Sequence, residues 1–238
     1  MHKYYETSAP KIKKTMNDLL KLIAGELEDH SGKTYKELFC EIWNFYEKNL
    51  LEHFPYIGGD DASGTKNLTG AYYFVAMGEI IKNYGVDMNE IGRLMMLSYE
   101  RKFLTMPKFV RKILGRFFNN PKLLNLIFKK KDAKNSTNAA KNPGSFETKT
   151  IFPPEKGYSF SYHNLICPLA NFAKIYGYTE YMPYICNLDY VMFGVLGAPL
   201  YREHTIAAGD DYCDFKLKSG AATLKYWPPV FTQGEGYK

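Results

Sequence analysis

The apolar residues change their repeat partway along the chain, and that change limits the fold more than any other feature. From residue 11 to 29, Ile12, Met16, Leu19, Leu20, Ile23 and Leu27 recur at helical spacing. Residues 34–54 repeat the pattern with Leu38, Phe39, Ile42, Phe45, Tyr46 and Leu50. A turn-rich gap from Gly58 to Asn67 precedes a third helix near 68–84, closed by Gly85. A fourth begins near Asn89 and runs past Arg101, and Pro107 and Pro121 read as first-turn prolines of two shorter helices, the second capped by Asn120. Beyond Pro154 the repeat shortens: Tyr158, Phe160, Tyr162 and then Ile166 alternate with Ser159, Ser161 and His163, which reads as a strand. The expected class is therefore α+β, a helical N-terminal half packed with a C-terminal antiparallel sheet and helices. Residues 1–130 form the helical region and 155–238 the α+β region. Residues 131–154, rich in Lys, Asn, Ser and Pro, read as a polar linker or excursion, mobile at Lys134–Ser145. The whole is expected to be one integrated domain.

Composition sets the class of protein. Of 238 residues, 45% are hydrophobic and 24% charged, as in a folded soluble chain, and 20 Tyr with 16 Phe make large side chains the main core material. The first 30 residues are amphipathic and charged, unlike a signal peptide, and the apolar run Tyr190–Tyr201 is too short to span a bilayer. A cytoplasmic location with reduced thiols is the expectation, since the four cysteines (Cys40, Cys167, Cys186, Cys213) lack the spacing of a disulfide framework.

The net charge of +6 is unevenly spread. From Arg101 to Lys134 there are eleven Lys or Arg against one acid, Asp132, so this segment carries +10 and the remainder −4. Its basic residues interleave with Phe103, Phe109, Phe117, Phe118 and Phe128, a pattern compatible with membrane-surface or nucleic-acid contact. The simpler reading is a solvated basic face on helices whose aromatics pack inward. No nucleic-acid signature accompanies the charge, so no nucleic-acid partner is expected.

Three of the four cysteines fall between Tyr162 and Leu217, amid acids and two histidines. Pro168 starts a helix ended by Gly177, which makes Cys167 its N-cap. A thiol there faces unpaired N–H groups and the positive helix end, which lowers its pKa; the alternative is a small residue packed under the sheet. In a second helix, starting near Pro183, Cys186 and Asp189 are three apart and share a face. They read as acid plus substrate contact or as two metal ligands, or Asp189 simply accepts a core hydrogen bond. Leu200–Ala207 and Tyr212–Lys218 look like strands, with Gly209 at the first central position of a type II′ turn. That register pairs Ile206 with Cys213, His204 with Phe215 and Glu203 with Lys216. It puts Arg202, His204 and Cys213 on one mostly apolar face, and Glu203, Thr205, Asp214 and Lys216 on the other. His204 and Cys213 become diagonal neighbours, as a catalytic pair, as ligands to one ion, or as core residues. His163, about 13 Å from Cys167 along an extended strand, is a weaker candidate.

The segments CPLANFAKIYG, CNLD and REHTIAAGDDYCDF resemble the L-2-amino-thiazoline-4-carboxylic acid hydrolase family over roughly residues 160–218. The matching positions are Cys167 and Ala170, Cys186 and Asp189, then Arg202, Thr205, Ile206, Gly209, Cys213, Asp214 and Phe215. His204 lies outside that pattern. The ending is also distantly similar to vinyl-reductase-type small-ligand domains, which are α+β with helices on an antiparallel sheet. The resemblance implies a hydrolase that opens a cyclic thiazoline at C2 to give N-carbamoyl-cysteine. Under it Cys167, Cys186, Asp189, His204 and Cys213 are catalytic candidates, and Arg202, Thr205 and Asp214 bind substrate. Cys167 either attacks C2, or thiolates hold a metal that activates water. Whether a metal is present stays open; Cys167, Cys186 and Cys213 with His204 or Asp189 would make a Zn²⁺ shell, though gaps of 19 and 27 residues are unlike zinc ribbons. The competing class is a non-catalytic small-ligand-binding or scaffold domain of the same fold.

Overall fold

A computed structural model describes residues 1–230; residues 231–238, the end of the expected α+β region, lie outside the described residues. The helical half holds α1 (Lys3–Leu20), α2 (Ala24–Ser31), α3 (Tyr35–Phe45), α4 (Ser63–Ile81) and α5 (Met88–Leu104). Local chemistry sets their starts. Thr34 and Glu37 form a reciprocal capping box at α3, and Asp87 accepts the Glu90 N–H at 2.8 Å to begin α5. Gly85 closes the α4 region in the left-handed conformation (φ +79°), where a side chain would be strained. α4 is the central helix: Tyr72, Phe74, Val75, Ala76 and Met77 are each at most 1% exposed. Its apolar residues run all round rather than along one stripe because neighbours cover it on every side.

Two further helices, α6 (Lys108–Phe118) and α7 (Pro121–Lys141), carry the basic segment. Pro121 sits in the first turn of α7 and Asn120 caps it, as expected, whereas Pro107 is the N-cap of α6. The expected linker at 131–154 is instead the second half of α7 followed by strand β1 (Glu147–Ile151). Its polar residues are consumed in ordering it. Asp132 accepts from the Thr150 N–H and the Thr148 hydroxyl, both at 2.7 Å, and buried Asn135 donates to Thr148 at 3.0 Å. Asn138 donates to the Ile57 carbonyl at 2.9 Å. Composition resembled a linker because these partners are distant or on the next strand.

The remaining elements are β2 (Phe160–Ile166), α8 (Pro168–Tyr176), α9 (Met182–Leu196), β3 (Leu200–Tyr201) and β4 (Cys213–Leu217). The sheet is antiparallel in the order β1-β2-β4-β3, so the architecture is α+β, as expected. α7 packs on one face of the sheet through Phe128, whose ring centroid lies 4.9 Å from that of Phe160. α9 crosses α5 closely because Gly92 has no side chain: a Cβ there would sit 2.0 Å from the Tyr184 ring.

The expected hairpin at Gly209 is not formed. β3 stops at Tyr201, which pairs with Lys216, two positions from the expected register. Residues 206–208 make a 3₁₀ turn, and the Asp214 carboxylate explains why. It accepts from the backbone N–H groups of Glu203 (2.9 Å) and His204 (2.7 Å), drawing residues 202–212 into a loop around itself. Glu203 and Lys216 still meet, as an ion pair at 2.8 Å rather than as a strand pair.

Candidate functional site

A cavity of about 820 Å³ runs from α1, at Ser8 and Lys11, to the inner face of the sheet at Tyr162 and Phe215. The helices supply most of its wall; aromatic and aliphatic side chains predominate, and charged ones also line it, among them Lys11, Asp18, Asp60, Lys66 and Lys102. Such a void is in the upper part of the roughly 300–1,000 Å³ seen for ligand sites.

The polar end of the cavity is built by α9 and the loop after β3. Spacing on α9 turns Cys186 and Asp189 the same way, as the sequence predicted, and both line the cavity. Arg202 reaches over from the loop. Its guanidinium lies 4.2 Å above the Phe215 ring, and its Nη1 donates to Asp189 Oδ2 at 3.0 Å and to the Cys186 carbonyl at 3.4 Å. The Arg202 side chain is 2% exposed, but Asp189 keeps 39% of its side chain accessible, and that surface faces the cavity. Even with that access, desolvation by the surrounding protein raises the Asp189 pKa above the ordinary carboxylate range, with Arg202 and then Lys131 opposing the shift.

Lys131, on α7, was not singled out from the sequence. It lines the same cavity as Asp189, with Nζ 4.7 Å from the Phe128 ring centroid and 5.7 Å from that of Tyr162. Among the described residues no carboxylate lies within 4.0 Å of its ammonium, and burial lowers its pKa. Phe128 and Lys131 are three apart, so helical spacing could have flagged both as cavity-facing had this stretch not read as the start of a linker.

Cys167 caps α8, and Pro168 begins it, as predicted. The thiol chemistry differs from expectation. Burial pushes Cys167 up to about 12, outweighing the Ala170 and Leu169 N–H groups at the helix start. Burial also raises Cys213, although Arg202 opposes it. At neutral pH these two side chains are thiols, and the helix end does not make Cys167 a thiolate. Cys167, Cys186 and Cys213 all line the cavity, while Cys40 is on the exposed surface. Among the described residues no group of three or more His, Cys, Asp or Glu side chains is arranged to hold a metal, so the suggested Zn²⁺ shell is not assembled.

Three other sequence candidates stand off the cavity wall. His204 and Cys213 are not diagonal neighbours, because the strand carrying His204 is absent. His204 lies instead 3.4 Å from Asp210, with its ring 5.2 Å from that of Tyr212, and the Cys213 sulfur accepts the Ile206 N–H at 3.3 Å. Thr205 caps the 3₁₀ turn through the Ala208 N–H. Asp214 is 1% exposed and bound by Lys216 at 2.9 Å. Although burial works against it, Lys216 and the backbone donors hold its pKa below the usual range. Thr205 and Asp214 thus shape the loop that delivers Arg202. His163 faces the opposite side of the sheet, stacked on Tyr212 at 4.2 Å.

A family model for L-2-amino-thiazoline-4-carboxylic acid hydrolase matches residues 79–217. The chain belongs to this family. The match runs from the end of α4 to the end of β4, so it takes in Lys131, Asp189, Arg202 and all three cavity cysteines. No curated protein and no solved structure matches the chain.

Proposed function

We propose that this member of the L-2-amino-thiazoline-4-carboxylic acid hydrolase family adds water to the amidine carbon of a small cyclic carboxylate, with Asp189 as the proton-handling group. One observation carries the reading: a carboxylate with a raised pKa opens into a largely apolar cavity that also holds Lys131, which among the described residues has no carboxylate within 4.0 Å. For L-2-amino-thiazoline-4-carboxylate, Lys131 anchors the substrate carboxylate and Asp189 Oδ1 faces the amidine. Arg202, already bound to Oδ2, orients Asp189 rather than forking onto the substrate.

Asp189 takes a proton from water as its oxygen bonds to C2. The hydroxyl proton of the tetrahedral carbon moves to the ring nitrogen as that carbon closes to a carbonyl and the C2–S bond breaks, and the proton held by Asp189 passes to the leaving thiolate. The ring nitrogen and the amino group remain on the new carbonyl carbon, giving N-carbamoyl-cysteine. A carboxylate with a raised pKa suits both transfers better than an ordinary one. In this scheme the protonated Cys167 shapes the cavity wall and does not attack.

The cavity volume and the protonated thiols favour a second reading, a non-catalytic ligand-binding domain. The two are separated by incubating the protein with the thiazoline carboxylate, titrating released thiol and weighing the product by mass spectrometry. Turnover to the carbamoyl thiol supports the hydrolase. Saturable binding without thiol release supports the binding domain instead.

A further inference from the structure

The cavity leaves the basic segment unexplained, and its outer surface differs from a solvated charged face. Six of the twelve large hydrophobic residues exposed among the described residues lie between 104 and 127: Leu104 (48% exposed), Phe109 (65%), Ile113 (59%), Leu123 (38%), Leu126 (58%) and Ile127 (40%). On α6, Phe109, Lys112, Ile113 and Arg116 follow i, i+3, i+4, i+7 spacing, which makes one outer stripe. On α7, Leu123, Leu126, Ile127 and Lys130 repeat it. Apolar positions thus sit within a frame of exposed cations. Among the described residues, Arg101 alone of the segment's basic residues has an ion pair within 4.0 Å, with Glu26.

The inner faces of the same helices are well anchored. A Cβ on Gly115 would lie 2.1 Å from the Leu196 carbonyl oxygen, so α6 lies close against the end of α9. Phe118 meets Phe193 edge-on at 5.0 Å, and Leu124 is 1% exposed. The expected inward packing of aromatics holds for these faces, while the outer stripes stay uncovered.

We propose that α6 and α7 form a docking face for a membrane surface rich in anionic lipid. Each helix joins an apolar stripe to basic side chains, the arrangement that seats a helix at the headgroup boundary. No described helix is long and apolar enough to cross a membrane, so the contact is a surface one. Charge complementarity selects the occupant. A second copy would set one +10 segment against another, and a phosphate backbone would leave Leu104, Ile113, Leu126 and Ile127 unsatisfied. Anionic headgroups above acyl chains satisfy both. Phe118, Phe128 and Lys131 belong to these helices and line the cavity, so docking would set the bilayer beside one cavity wall.

The test is flotation of the full chain with vesicles of phosphatidylcholine alone or enriched in phosphatidylglycerol. Binding should require the anionic lipid and weaken with salt. Phe109→Glu with Ile113→Glu should abolish it, and Lys112→Glu or Arg116→Glu should weaken it at least about five-fold each. Ile175→Glu, at a site 74% exposed elsewhere, should change nothing. Circular dichroism confirms that each variant folds. Failure to bind anionic vesicles, binding that survives the Phe109/Ile113 double change, or a preference for duplex nucleic acid over vesicles would overturn the proposal. So would concentration-dependent dimerisation that the double change removes.

Discussion

Replacing Arg202 with Met tests the polar end of the cavity without emptying it, because the new side chain still covers the Phe215 ring. What is lost is the 3.0 Å contact to Asp189 and the longer 3.4 Å one to the Cys186 carbonyl. Removing one member of a buried ion pair costs about 3–5 kcal/mol. Asp189 keeps 39% of its side chain accessible within the cavity, so the expected loss is discounted to about 2–3 kcal/mol. With a urea dependence of roughly 2–3 kcal/mol/M, the unfolding midpoint should fall by about 1 M near neutral pH. The pH dependence identifies the cause. Burial already raises the Asp189 pKa in the folded protein, and without Arg202 it rises further. The folded state then holds a proton that the unfolded chain releases, so stability falls as pH climbs from the unfolded pKa through the folded one. The deficit of the Arg202→Met protein should be largest near neutrality and shrink as the pH is lowered toward the unfolded pKa. Adding Asp189→Asn should recover most of it. Urea titrations at both ends of this window decide the matter. An equal loss at both pH values, or no recovery from the second change, would refute the reasoning.

Other predictions follow from separate contacts. Cys40 should react with a thiol reagent well before Cys167, whose modification should rise with pH without reaching a plateau below about 12, as followed by mass spectrometry. Asp132→Ala should cost about 2–3 kcal/mol and speed amide exchange across 130–151, since three donors from Thr148 and Thr150 lose their acceptor. Gly115→Ala should destabilise by about 1–3 kcal/mol in denaturant, because the methyl group meets backbone rather than a movable side chain. For thiazoline turnover, kcat/KM should climb with pH as Asp189 ionises through its raised pKa. It should fall again as Lys131 loses its proton earlier than an ordinary lysine, and Lys131→Met should remove the alkaline fall while raising KM.

Much of the frame was legible because its causes are local. The periodicity of α1 and α3, Asn120 before Pro121, Cys167 before Pro168, and the shared face of Cys186 and Asp189 all follow from residues within one or two turns. The failures have distant causes. The polar run 131–154 is ordered by Asp132 and Asn138, the latter reaching Ile57, and composition shows neither contact. The hairpin after Leu200 gave way to a loop because one buried carboxylate, Asp214, gathers backbone donors that would otherwise extend the strand. Cys167 stands at the predicted helix start, yet its pKa rises because elements far away in sequence bury it. Tyr72, for example, reaches the Leu169 carbonyl at 2.7 Å. Lys131 went unnoticed for a related reason: in the sequence it is one cation among eleven, and only the folded chain shows that it and Lys102 line the cavity.

The central claim is that Asp189, rather than a cysteine thiolate, does the chemistry in this cavity. It is tested most directly by comparing thiol release from L-2-amino-thiazoline-4-carboxylate by the wild type, Asp189→Asn and Cys167→Ser. The account predicts a fall of about 10²–10⁴ in kcat for Asp189→Asn and a change within a few fold for Cys167→Ser. Full activity in the Asp189 variant, with activity abolished in a folded Cys167→Ser protein, would contradict it.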